Sequence, residues 1–388
     1  MKLNKVLPIL FLTMFLVMVG FGIIIPVLPF YAEELGATPT QLGLLMAVYS
    51  LMQFIFAPMW GKLSDRIGRK PVIMIGIFGL SLSFFILALS TQIWMLFLAR
   101  IIGGILSAAN MPTIMAYVAD ITSEGERSKG MGIIGAATGL GFIFGPAIGG
   151  IFAEIHLHTP FYIAGTVSFI TLLFVYFTLQ ESLWISSNKR NKRSSWGNVL
   201  GGSMAMLYFL QFVISVSLSG LEATFAYFAA EKAGLDSVSL GYIFMIMGLA
   251  SAAVQGSMGK LTKKYGEAAI IQAGIIVSAV GFGLLLFIEN FTTAAIFLAI
   301  FGVGNGVIRP SVSSLLTKKS NMGHGMATGY LSSFDSLGRI IGPVIGGVLY
   351  SVAIGLPYLT GIILSVLALS LYRVYARRDT GIGSSRQI

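Results

Sequence analysis

An all-α polytopic membrane protein is predicted, with twelve transmembrane helices in two pseudo-symmetric six-helix bundles, and three observations predict it. Apolar windows of roughly 20 residues, enough to cross about 30 Å of hydrocarbon, recur along all 388 residues with short polar breaks. The chain is 56% hydrophobic and only 10% charged, with a mean hydropathy of +0.87, outside the range of water-soluble globular proteins. The two halves also repeat one another. "GKLSDRIG" at 61–68 returns as "GKLTKKYG" at 259–266, and "GFIFGPAIGG" at 141–150 returns as "GRIIGPVIGG" at 338–347, both at an offset of about 198 residues.

The spans follow in order. The first, 6–30, comes after Lys2 and Lys5 and reaches Phe30 without a small-residue cleavage site, so it is a retained helix and not a removed signal. Spans at 41–60 and 71–90 flank the short basic loop 61–70, the fourth at 93–118 carries Arg100, and the fifth at 131–153 holds a glycine- and proline-rich stretch. A sixth at 160–181 completes an N-terminal bundle over 1–181. The longest polar segment, 182–202, includes "SSNKRNKRSSWGN" and reads as a cytoplasmic linker. Spans at 203–230, 238–259, 268–288, 292–316, 326–350 and 355–375 form the second bundle within 203–388, with a short tail. Matched halves of this kind place a binding site between two bundles near the bilayer midplane and suit alternating access.

The net charge of +10 does not indicate nucleic acid, because its distribution follows topology. Lys62, Arg66, Arg69, Lys70, Arg127, Lys129, Lys189, Arg190, Lys192, Arg193, Lys260, Lys263, Lys264, Lys318, Lys319, Arg373, Arg377 and Arg378 all fall on one side if the spans alternate. The opposite loops hold Glu33, Glu34, Glu154, Glu231, Asp236 and Glu289, with Lys232 as their only base. The positive-inside rule then puts both termini in the cytoplasm.

Catalysis finds no support. There is no cysteine, hence no disulfide or thiolate metal site. His156, His158 and His324 sit in loops without partners at ligand spacing, and no phosphate-cradling glycine loop followed by Lys and Ser/Thr is present. No cofactor, metal or ATP is expected, and the protein is not read as an enzyme.

"GKLSDRIGRK" (61–70), "LARIIGGILSA" (98–108), "GFIFGPAIGG" (141–150) and "GFGIIIPVLP" (20–29) resemble, in turn, the loop, fourth-helix, fifth-helix and first-helix motifs of the major facilitator superfamily. The likeness to its twelve-helix drug/proton antiporter family, the bacterial multidrug exporters, runs nearly end to end. The resemblance implies a multi-pass protein of a bacterial cell membrane, expected to be a monomer, that exchanges protons for small hydrophobic or cationic substrates among membrane lipids. A dedicated exporter or uptake carrier for a single metabolite is the alternative. A membrane receptor or scaffold is disfavoured, for want of a soluble signalling domain.

Gly141, Gly145 and Gly149 share one helical face, Gly150 adjoins them, and Pro146 bends the helix at a fixed point. Their return near 338–347 suggests that the fifth and eleventh spans press on the opposite bundle as hinge and seal, which the resemblance connects with proton-driven export. In the loop, Gly61, Asp65, Arg66, Gly68 and Arg69 match the family motif, a latch by analogy. Asp65 is expected near the start of the third helix, with Arg66, Arg69 and Lys70 pairing with it or with lipid phosphates. The second copy has Lys263 for Asp65, so a latch there should be weaker or absent.

Charges inside hydrocarbon are costly and rarely idle. Glu222, Asp335, Arg100, Arg339 and Arg309 are the candidates for proton coupling. Glu222 has no base within a turn, so a proton from outside and a cation from inside would compete for it, and a corresponding glutamate occurs in the resembled exporters. The resemblance associates Arg100 with coupling through a nearby acid. Several such exporters carry a second acid in the tenth helix where this chain has Asn305 and Gly306. Asp335, about 13 Å into its span, with Arg339 at i+4, is either that acid relocated or an internal ion pair. Asp120, Glu154 and Glu181 sit near helix ends and read as interfacial. Besides Glu222, substrate contacts are expected from Tyr49, Gln53, Met111, Phe142, Phe225, Tyr227, Phe301, Asn305 and Phe334, since rings and thioethers accept varied shapes and attract cations.

Overall fold

The computed structural model describes residues 3–182, 203–319 and 324–384. Among them thirteen α-helices occur and no strand. In chain order they are α1 (Leu3–Glu34), α2 (Pro39–Ile67), α3 (Arg69–Ala88), α4 (Ile93–Ser107), α5 (Asn110–Ile121), α6 (Glu124–Ala153), α7 (Thr159–Thr178), α8 (Ser203–Ala233), α9 (Ser237–Gly256), α10 (Met258–Leu285), α11 (Phe291–Lys319), α12 (His324–Val352) and α13 (Leu356–Ser384). With water absent from hydrocarbon, only backbone that satisfies its own hydrogen bonds can span it. Beyond Ser182 the expected linker lies outside the described residues, as do the bases at 189–193 and the side chains of Arg377 and Arg378.

Among the described residues eleven segments are long and apolar enough to cross a membrane, α4 and α5 counting as one. The expected fourth span is broken at Ala108 and Ala109, where the Ala109 N–H reaches back only three residues to the Leu106 carbonyl. Pro112 explains the break, since its ring clashes with the carbonyl four residues earlier. α12 has 29 residues but less apolar character than the other spans, because Asp335, Arg339 and several serines and glycines interrupt it.

Two compact units result, Met1–Asn191 with Asp236–Met245, and Lys192–Leu235 with Ile246–Ile388. In the first, α1 packs on α6 and α7, and α3 on α4 and α7; in the second, α8 packs on α12 and α13, and α10 on α11 and α13. The pairings are the same, as the repeated motifs require. Large apolar side chains on the outside, among them Phe177, Phe287, Val352 and Ile363, form the surface a bilayer covers.

The glycine faces set the closest helix contacts, and their partners differ from expectation. A Cβ on Gly145 would stand 2.7 Å from the Gly22 Cα and the Val19 carbonyl, and one on Gly149 would stand 2.7 Å from the Ile23 carbonyl. The stripe therefore meets α1 of its own unit. In the second unit the Gly338, Gly342 and Gly346 stripe meets Ser215, Val216 and Gly220 of α8 in the same way. Gly150 alone faces the start of α9, at Ser237 and Gly241, which groups with the first unit.

Candidate functional site

Four ionisable groups within the second unit's spans, Glu222, Arg309, Asp335 and Arg339, lie at or beside the seam between α8 and α12. Gln211, Ser215, Ser219 and Glu222 share one face of α8, at spacings of four, four and three residues. The Asp335 side chain, only 10% exposed, accepts hydrogen bonds from Gln211 Nε2 at 2.9 Å and from Ser215 Oγ. Arg339 Nε stands 3.5 Å from Asp335 Oδ2 one turn along α12, and Arg309 Nη1 approaches the same oxygen from α11 at 3.7 Å. Ser219 donates to the Gly338 carbonyl at 3.0 Å, binding the two helices beside the charges.

Glu222 is half-buried one turn beyond Ser219. The sequence shows no base near it, yet Arg339, brought in by α12, is within electrostatic reach of both Glu222 and Asp335. Its ion pair is with Asp335; Glu222 feels its charge and, among the described residues, makes no ion pair with it. The two arginines each reach Asp335 Oδ2 by one long contact, in place of one tight bidentate pair.

Of the expected substrate contacts in this unit, Phe334 stacks on Tyr208, with ring centroids 5.7 Å apart. Asn305 is half-buried on α11. Phe225 and Phe301 are fully buried, and Phe301 packs on Phe282 with centroids 4.8 Å apart and against Gly281. Tyr227 is nearly as buried, beside Tyr350. In this structure the three rings pack in the helix core.

A second cluster lies within the first unit. Tyr49 Oη is 2.8 Å from Ser107 Oγ, and Gln53 Nε2 donates to both, at 3.1 and 3.3 Å. Phe21 bridges Tyr49 and Phe142, with centroids 5.7 and 5.5 Å away. Met111, at the start of α5, is 41% exposed. Arg100 is 3% exposed, with its guanidinium 4.1 Å over the Tyr49 ring and Nε donating to the Leu45 carbonyl at 3.4 Å. Among the described residues no carboxylate pairs with it, so the expected acid partner of Arg100 is not found; an aromatic face replaces it.

The 61–70 motif builds a tighter network than expected. Gly68, with φ of 110°, separates α2 from α3. Asp65 belongs to the last turn of α2, not to the start of α3, and pairs with Arg69 at 2.6 Å. The carboxylate at the N-terminus of α3 is Glu181, which accepts from the Arg69 and Lys70 backbone N–H groups at 2.8 and 3.0 Å and suits the helix dipole there. Asp120 binds Arg69 Nε at 2.9 Å with both side chains 9% exposed. Asp120 and Glu181 are therefore network members and not interfacial bystanders.

The second copy is not empty either. Gly266, with φ of 76°, repeats the bend of Gly68, and Glu267 pairs with Lys318, with Ser314 donating to the same carboxylate at 3.0 Å. Glu267 and Lys318 stand where Arg69 and Asp120 stand in the first copy, at the same offset of about 198 residues. The bridge is kept and its polarity is reversed.

A family model described as Major Facilitator Superfamily matches residues 10–324 and 207–386. The chain is 32% identical to "Multidrug resistance protein 2" of Bacillus subtilis over 379 residues, 95% of each chain. It is 30% identical to "Quinolone resistance protein NorA" of Staphylococcus aureus, over 92% of each. Among solved structures, a bacterial homolog of the human lysosomal transporter Spinster, inward-facing and occupied, superposes with a TM-score of 0.81 over 97% of each chain at 15% identity.

Proposed function

Because the chain belongs to the Major Facilitator Superfamily, we propose that it is a proton-driven exporter of amphipathic, often cationic drugs that works by alternating access. The names of its relatives, multidrug and quinolone resistance proteins, support that substrate class. It acts as a monomer in a bacterial cell membrane, with both termini in the cytoplasm. The carrying observation is the α8–α12 seam, where Asp335 holds Arg309 and Arg339 and takes hydrogen bonds from Gln211 and Ser215, with Glu222 on the same face of α8.

A neutralised acid releases its cation, and that is the chemistry needed. With Asp335 ionised, Arg309 and Arg339 are held on it, and half-buried Glu222 is left to bind the positive charge of a drug. A proton arriving at Asp335 removes the charge that holds Arg339. The guanidinium then turns to Glu222, one turn further up the seam, and displaces the drug. Protonation of Glu222 itself has the same sign of effect. Phe334 on Tyr208, in the same unit as the seam, supplies a ring face for the apolar part of the substrate. The motif around Arg69 acts as the latch of one conformation.

The test is drug-evoked proton movement in proteoliposomes loaded with a pH-sensitive dye. Ethidium should release protons with the parent protein and not with Glu222→Gln. Pumping by Glu222→Gln at the parent rate removes that acid from the mechanism, and silence toward every amphipathic cation points to a carrier of a single metabolite.

A further inference from the structure

The bases of the 61–70 motif do not share one fate. Arg69 is taken by Asp65 and Asp120, and Lys70 Nζ donates to the Tyr176 carbonyl at 2.6 Å. Lys62 and Arg66, both exposed, have no acidic partner among the described residues, since the one nearby carboxylate, Asp65, is engaged by Arg69. They stand four residues apart on the same face of α2, where like charges repel. Next to them an apolar groove of about 520 Å³ runs along α2 and α4, lined by Phe56, Met59, Trp60, Leu63 and Ile105. Trp60 Nε1 donates to the Ile105 carbonyl at 2.6 Å, which ties the groove's indole to both walls. Lys62 and Arg66 belong to the groove's lining, so two cations without an acidic partner among the described residues stand beside its apolar floor.

We propose that this groove is a binding site for an anionic phospholipid, with one acyl chain along Met59 and Trp60 and the phosphate bridging Lys62 and Arg66. The parts are complementary in kind. An acyl chain fills apolar volume that water would wet poorly, and one phosphate relieves the repulsion of two bases a turn apart while accepting hydrogen bonds from both. A zwitterionic headgroup such as phosphocholine supplies the same chain and phosphate but adds an ammonium charge that the two cations disfavour. Basic pockets beside membrane helices are suited to anionic headgroups for this reason.

Trp60 makes the site readable. The chain has four tryptophans, so replacing Trp94, Trp184 and Trp196 with Phe leaves Trp60 as the sole reporter. In phosphatidylcholine proteoliposomes, brominated phosphatidylglycerol should half-quench Trp60 at a roughly tenfold lower mole fraction than brominated phosphatidylcholine, as two bases near the surface imply. Lys62→Gln/Arg66→Gln should erase that preference, and Lys260→Gln/Lys264→Gln, the same charge change on the second copy of the motif, should leave it intact. Equal quenching by the two lipids overturns the proposal. So does a preference that survives the first double variant, or one lost equally in the second, which would mark general surface charge. Millimolar inorganic phosphate should not reverse the quenching; if it does, the bases bind free anions and the lipid assignment fails.

Discussion

Asp335 is the residue whose surroundings decide most. Its carboxylate is held by two hydrogen bonds and faces two guanidinium groups, so removing its charge deprives Arg309 of its acid and leaves Arg339 only Glu222 to turn to. Asp335→Asn should lower stability by about 1–3 kcal/mol, within the range for an uncompensated charged hydrogen-bond partner, and should abolish proton coupling. Adding Arg339→Gln should restore part of the stability and none of the coupling. Thermal unfolding of the purified variants, set beside their proton release, separates the two effects; coupled transport by Asp335→Asn would reduce the cluster to structure. Glu222, Asp335, Arg309 and Arg339 were legible in the sequence because a charge inside an apolar run is costly whatever its neighbours are. Gln211, Ser215, Asp120 and Glu181 were not, since their roles depend on which helix lies alongside. The spacing of Gln211, Ser215, Ser219 and Glu222 on one helix face was the signal that could have found the seam.

At the scale of elements, the glycine seams and the two bridges carry different loads. Gly145→Val should destabilise by about 1–3 kcal/mol, because its Cβ would meet backbone atoms of α1 that cannot yield, as overpacking in a close-packed core does. Gly139→Ala, two turns before it on the same helix with nothing within 4 Å of an added Cβ, should be neutral or stabilise by about 0.5–1 kcal/mol. Equal losses from both would mean that the seam is not the closest contact. Exposure likewise ranks the bridges. Arg69 and Asp120 are both 9% exposed, so Asp120→Asn should cost about 1–3 kcal/mol as a buried charged hydrogen-bond partner is lost, with Asp65 still on Arg69. Lys318 is 62% exposed, so Lys318→Gln should cost about 0.2–1 kcal/mol, and the exchange Glu267→Lys/Lys318→Glu should recover it. Melting temperatures in one detergent test the ranking, which comparable losses would reject. The second bridge was hidden in the sequence because the repeat preserved a pair and reversed its sign, so no repeated acid marks it.

For the molecule as a whole, the bilayer writes the fold into composition, so helices and halves were readable while close approaches were not. The break before Pro112 and the grouping of the start of α9 with the first unit depend on single contacts that no hydropathy window registers. The same physics yields the prediction on which transport direction depends. Basic loops stay on the side where the chain is made, so Lys129 and Lys264 belong to one face, and Glu34, Glu154 and Glu289 to the other. The chain has no cysteine, which lets a single introduced thiol report its side without background. Cysteines replacing Glu34, Glu154 or Glu289 should react in intact cells with a membrane-impermeant maleimide; those replacing Lys129 or Lys264 should react only after permeabilisation. The inverse pattern would place the Arg69 network outside and turn the acid-rich loops inward. Protons entering down their gradient would then reach the seam by the opposite route, and the proposed export would have to be rewritten as uptake.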